Sequence, residues 1–138
     1  MRAIRLLCLF LLASLSVVPA ASQRGAPPLA ALKTIERGLW ELREKDHAAP
    51  PLKICVRDPM MLMQIGHGAA ACSRFVVDNG ATQGTVYYTC PGAGHGQTTV
   101  RVEGARLFQL DSQGFADQAP FDHSYEGRHV GACTAAAH

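Results

Sequence analysis

Four cysteines, Cys55, Cys72, Cys90 and Cys133, are the residues whose number and spacing speak most directly to chemistry. None lies in a Cys-x-x-Cys motif, so they do not read as reactive thiolates. An even set of widely spaced cysteines reads instead as a disulfide framework, the chemistry of an exported protein, although four cysteines allow three pairings. The six histidines invite a metal hypothesis. His123 and His129 fall on one face of a strand but roughly 20 Å apart along it, too far to share an ion. His67 and His95 lie in glycine-rich turns, and no paired ligand motif of a known zinc site is present. No metal or cofactor is expected.

Ser124, with His123, Asp122 and Glu126 around it, has the residue types of a hydrolase. Adjacent strand residues point to opposite faces, so His123 and Ser124 diverge, and no Gly-x-Ser-x-Gly turn exposes a nucleophile. Glu126 and Arg128 share a face and are placed to pair. The run Pro91 to Gly96 is as rich in glycine as a phosphate-binding loop but lacks the Gly-Lys-Ser/Thr ending, so turn chemistry is its reading. Met60, Met61 and Met63 raise copper or an adaptable surface, but Met61, Leu62 and Ile65 more simply form the buried face of a short helix. Trp40 beside Glu41 reads as a core aromatic next to an exposed acid. No catalytic residues are expected.

The N-terminus sets the compartment. Arg2 and Arg5, an apolar run from Ile4 to Val18, and Val18-Pro19-Ala20 make residues 1–20 a signal peptide, with cleavage expected after Ala20 and a second acceptable site after Ser22. Cys8 leaves with it. Removing Arg2 and Arg5 from the 13 basic residues leaves eleven against 11 acids, so the mature chain has no field to steer nucleic acid. No later segment approaches the roughly 20 apolar residues of a membrane span. Residues 21–28 form a small-residue lead expected to be disordered, and residues 29–138 a single exported domain.

The domain reads as mainly β. Leu29, Leu32 and Ile35 predict a short helix from Leu29 to Arg37, ended by Gly38. Alternation from Leu39 to Lys45 predicts a strand, and Leu52 to Arg57 a second. Asp58-Pro59 is a helix start, followed by one or two turns over Met60 to Ile65. Strands follow at Ser73 to Val77, Thr85 to Cys90, Thr98 to Glu103, Arg106 to Asp111 and Ser124 to Val130. Turns are expected at Asp78-Asn79-Gly80, Pro91 to Gly94, Gly104 and Ser112-Gln113-Gly114. This is an antiparallel meander of six or seven strands, forming a curved sheet or open barrel with one or two short helices, stapled by disulfides. If the first of these hairpins turns near Ala81, Val77 faces Thr85, Phe75 faces Tyr87, and Cys72 falls within bridging distance of Cys90, leaving Cys55 for Cys133. The rival pairing, Cys55 with Cys72 and Cys90 with Cys133, stays open, because a one-residue slip removes the preference.

Gly38-Leu39-Trp40-Glu41, the strand ending Ile54-Cys55-Val56, the Cys72 segment, Cys90-Pro91-Gly92 and the run Tyr125 to Cys133 resemble a family of small exported proteobacterial proteins, domain of unknown function 3617. The resemblance spans about Gly38 to Cys133. It implies a periplasmic location and a mainly antiparallel fold, and brings no catalytic residues. Where many members start the helix after the first cysteine with a Thr-Pro-Glu-like sequence, this chain has Arg57-Asp58-Pro59. The resulting expectation is a non-enzymatic periplasmic module that binds a partner protein or envelope component through an open face or rim, an inhibitor of an envelope hydrolase being one form. The alternative is a carrier of a small apolar ligand or lipid, with Phe75, Tyr87, Phe108, Phe115 and Phe121 lining a pocket.

Overall fold

The computed structural model describes residues 27–134; the segment expected to be a signal peptide and most of the expected lead lie outside the described residues. Seven strands form one antiparallel sheet that does not close: β1 (Gly38–Glu44), β2 (Leu52–Val56), β3 (Ser73–Asn79), β4 (Gln83–Cys90), β5 (Gly94–Gly104), β6 (Leu107–Ala116) and β7 (Ala119–Gly131). Their spatial order is β2-β1-β7-β6-β5-β4-β3, so the meander β3 to β7 is extended by β1 docking on β7, and β2 and β3 are the free edges. Two 3₁₀ segments, η1 (Ala31–Thr34) and η2 (Pro59–His67), pack on one face. That inner face holds the core: Trp40, Leu42, Val86, Tyr88, Val100, Phe108 and Leu110 from the sheet meet Leu29, just before η1, and Leu32, Leu62 and Met63 from the helical segments. The Trp40 and Phe108 rings pack at 4.8 Å between centroids.

The first helix is shorter than its spacing predicts. Leu29, Leu32 and Ile35 are buried as their periodicity implies, but the backbone turns extended at Ile35 (φ −68°, ψ 125°). Tertiary bonds win there: Glu36 N donates to Ala105 O at 2.9 Å and Trp40 Nε1 to Glu36 O at 3.0 Å, partners a continued helix would have lost. Asp58 does start η2, accepting from Met60 N at 3.0 Å, with Pro59 following it. The buried face is nevertheless Leu62, Met63 and Gln64, and Met61 stands 40% exposed. A tighter 3₁₀ period and a break at Gln64 (φ −130°, ψ 33°) rotate the register away from α-helical spacing.

Ser112-Gln113-Gly114 is not a turn; it runs through β6. Ser112 is buried and shares a 2.8 Å hydrogen bond with Thr98 across the strands, and a Cβ at Gly114 would collide with the His95 carbonyl, so this glycine serves close strand approach. The hairpin turns instead at Asp117 and Gln118, both at positive φ (50° and 67°), a conformation that glycine usually supplies. Phe75 pairs with Tyr87, but Asp78 and not Val77 faces Thr85, because Val77 is the extra residue of a bulge. The disulfides join Cys72 to Cys90, beside the β3–β4 ladder, and Cys55 to Cys133, tying the β2 edge to the chain beyond β7.

Candidate functional site

Alternation along β4 to β7 divides the aromatic side chains between two faces, and the two environments differ sharply. Inward, Tyr88 is fully buried, and its hydroxyl meets His67, the last residue of η2, at 3.2 Å from Nδ1. The other ring nitrogen of His67, Nε2, faces two carbonyls, Ala93 O at 3.2 Å and Phe115 O at 3.1 Å, so it must carry the proton and donate. In the neutral ring Nδ1 therefore accepts from Tyr88. Burial pushes the Tyr88 phenol above its ordinary value, partly offset by hydrogen bonds with Ser112 and Thr98. His67 is thus a latch between η2 and the sheet, not a turn residue. Its role was invisible in sequence because the two carbonyls come from the β4–β5 turn and from β6, far along the chain.

Farther along the same face, Phe121, His123 and Tyr125 stack at 5.6 and 5.5 Å. His123 Nδ1 lies 2.8 Å from Glu44 Oε1, and His47 reaches the same carboxylate at 3.9 Å. Burial, with the Glu44 charge, raises the Tyr125 phenol above its ordinary value. Ser124 points to the opposite face, donating to Asp111 Oδ1 at 2.6 Å, so the serine and histidine of the hydrolase-like cluster are separated by the sheet. His129 packs edge-on against Trp40. Among the described residues no three His, Cys, Asp or Glu side chains come together as metal ligands. Nor is any helix of the described residues long and apolar enough to cross a membrane.

The outer face has two halves. Over β1, β7 and, across β6, the end of β5 it is charged and internally paired: Arg43 with Glu41 at 2.7 Å, Arg128 with Glu126 at 2.7 Å, Arg101 with Glu103 at 3.3 Å. Hydrogen bonds from Arg128 and then Gln109 hold the Glu126 carboxyl below the usual range. Over β3 to β7 at the other end it is aromatic and unpaired. Phe75 is 69% exposed, Phe115 48% and Tyr87 41%. One cross-strand row runs Phe75, Tyr87, Gln97, Gln113, Asp122, and the next runs Thr89, His95, Phe115, Pro120. The rings of Tyr87, His95 and Phe115 follow one another at 6.2 and 5.7 Å, tilted by 37° and 32°. Together with Gln97, Gln113 and Asp122 they line a shallow trough of about 650 Å³.

The five aromatics considered for a carrier pocket do not all share one: Tyr87, Phe115 and Phe121 border the trough, and Phe75 and Phe108 do not. Phe108 is sealed in the core, Phe121 is half-buried on the inner face, and Phe75, Tyr87 and Phe115 face outward. A second cleft, about 620 Å³, opens between the β2 edge, η2 and β3, lined by Ile54, Met61, Gln64, Ala69, Ala70 and Arg74. Arg74 Nε donates to Gln64 Oε1 at 3.1 Å there. Comparison with protein-family models, with curated protein sequences and with solved structures finds no match, which leaves the residues and their geometry to carry the functional reading.

Proposed function

We propose that this chain is an exported, non-catalytic binding module of the bacterial periplasm that engages an envelope component through the aromatic half of its outer face. The observation that carries the reading is the exposure of Phe75, Tyr87 and Phe115 side by side on a sheet face whose other half is covered by matched ion pairs. Contiguous exposed apolar groups on a small domain mark interaction surfaces, and aromatic rings contribute large contact areas at low entropic cost. The export half of the proposal rests on the Arg2, Arg5 and Ile4 to Val18 leader and on two disulfides, which suit an oxidising compartment. The likeness to domain of unknown function 3617 belongs to the same proposal. Separation of Ser124 from His123 and engagement of both His67 nitrogens in structural bonds support a non-catalytic role.

Sedimentation with isolated cell envelopes tests this reading. Wild-type protein is expected in the pellet and a Tyr87→Ala/Phe115→Ala variant in the supernatant, while Glu41→Ala/Arg128→Ala, altering the charged half, pellets normally. Equal pelleting of the aromatic variant and wild type sinks the reading. The carrier alternative keeps one supporting observation, the Arg74 cleft between the sheet edges, whose lining of Ile54, Met61, Ala69 and Ala70 suits a small apolar ligand with polar ends to meet Arg74 and Asp58. Native mass spectrometry of protein purified from the periplasm decides that case, since a carrier would retain extra mass lost on denaturation.

A further inference from the structure

We propose that the ligand of the outer-face trough is an uncharged stretch of polysaccharide, the glycan backbone of an envelope polymer. The inference rests on the binding-module reading above and deepens it by naming the ligand chemistry. A sugar ring is amphipathic: its C–H face is apolar and its rim carries hydroxyls in the ring plane. The trough offers the complement of both. Tyr87, His95 and Phe115 make a platform of neighbouring rings with modest tilts, on which C–H faces can lie. Gln97 and Gln113 stand beside each other in the row between Tyr87 and Asp122. Each amide offers donors and an acceptor in one plane, and the Asp122 carboxylate adds acceptors, which is the set that neighbouring hydroxyls require.

These polar groups are also unspent. None of the side-chain hydrogen bonds among the described residues involves Gln97, Gln113 or Asp122, although the nearby Thr85–Thr99 and Ser124–Asp111 pairs on the same face are satisfied internally. The trough is open at the surface, and the row from Phe75 to Asp122 crosses five strands, roughly 19 Å at the usual strand spacing, which suits a chain passing across it.

The same inventory disfavours other ligands. No lysine or arginine lines the trough and one carboxylate does, so nucleic acid, anionic lipid headgroups and acidic polymers lack a counter-charge. An acyl chain would leave two amides and a carboxylate covered without partners. A neutral polyhydroxylated chain uses every group present.

The test is made on the mature, disulfide-bonded protein. Amide NMR shifts are followed during titration with chitohexaose and with cellohexaose, and sedimentation is measured with protein-free sacculi, with vesicles of phosphatidylethanolamine and phosphatidylglycerol, and with intact envelopes. Saturable shifts centred on residues 87, 95–97, 113–115 and 122 with at least one oligosaccharide, together with sacculus binding, are expected. Affinity should fall at least about tenfold in Tyr87→Ala and in Phe115→Ala and be unchanged in Glu41→Ala. Gln97→Ala/Gln113→Ala should weaken binding with the thermal transition retained, which separates lost recognition from lost folding. Binding to intact envelopes but not to sacculi or either oligosaccharide overturns the glycan assignment and leaves the module reading standing. Binding to vesicles, or oligosaccharide shifts centred on the Arg74 cleft, overturns it as well. Failure to bind any of these overturns both.

Discussion

Tyr87 and Tyr88 are neighbours on β4, yet the Tyr88 hydroxyl is sealed against His67, Ser112 and Thr98 while Tyr87 stands 41% exposed. The contrast repeats across the sheet. Phe108 packs on Trp40, and Phe115, seven residues farther along the same strand, faces outward beside His95. Similar rings do opposite work on the two faces. Those against η1 and η2 exchange water for neighbours and hold the fold, whereas those on the bare face keep water contact that a ligand can displace. The inner Tyr88, Thr98 and Ser112 hydroxyls bond within the protein, whereas Gln97, Gln113 and Asp122 in the trough make no side-chain hydrogen bond among the described residues.

The contrast predicts a graded series. Trp40→Ala should cost about 3–5 kcal/mol, read as a drop in the denaturation midpoint, because a fully buried ring leaves a cavity against Phe108. A cost near that of a surface change would mean that the inner face is not the core. Gly127→Ala should cost about 1–3 kcal/mol, since its Cβ would run into the Phe108 ring; thermal melts would show it, and a neutral result would break the claim of tight inner packing.

The inner phenols also make stability fall at high pH. Burial raises Tyr88 and Tyr125, so the folded state keeps protons that the unfolded chain releases above about 10. That stabilisation is fully present below the ordinary tyrosine range and declines as pH rises through the elevated values. Tyr88→Phe should flatten the alkaline slope in part, with Tyr125 supplying the remainder. An alkaline slope left unaltered by Tyr88→Phe would undo the claim that this phenol is buried against the core. The smallest effect on stability is expected for Phe115→Ala, within about 0.5 kcal/mol by denaturation. A loss of several kcal/mol would recast this ring as structural.

Much of the fold follows from local signals. Asp58-Pro59 starts η2 by capping chemistry, the alternation of Trp40 and Leu42 with Glu41 and Arg43 sets the faces of β1, and the Phe75–Tyr87 register places Cys72 beside Cys90. Elsewhere distant partners overrule local preference. Ser112-Gln113-Gly114 has turn composition, but Thr98 and His95 lie against it and keep it in β6. The true turn, Asp117-Gln118, has no glycine to announce its positive φ. His67 reads as part of a glycine-rich loop until the fold brings Ala93, Phe115 and Tyr88 around its ring.

The sequence by itself determined that strands dominate, that they pair as antiparallel neighbours, and where most of them run, because these depend on alternation and turn chemistry within a few residues. It could not determine which face would be covered and which left bare. Aromatic side chains occupy both faces of β4 and β6, so periodicity assigns each ring to a side without saying which side is covered. Only the tertiary structure decided that, by carrying η2 from one sheet edge across the inner face to the other and leaving Phe75, Tyr87 and Phe115 outside.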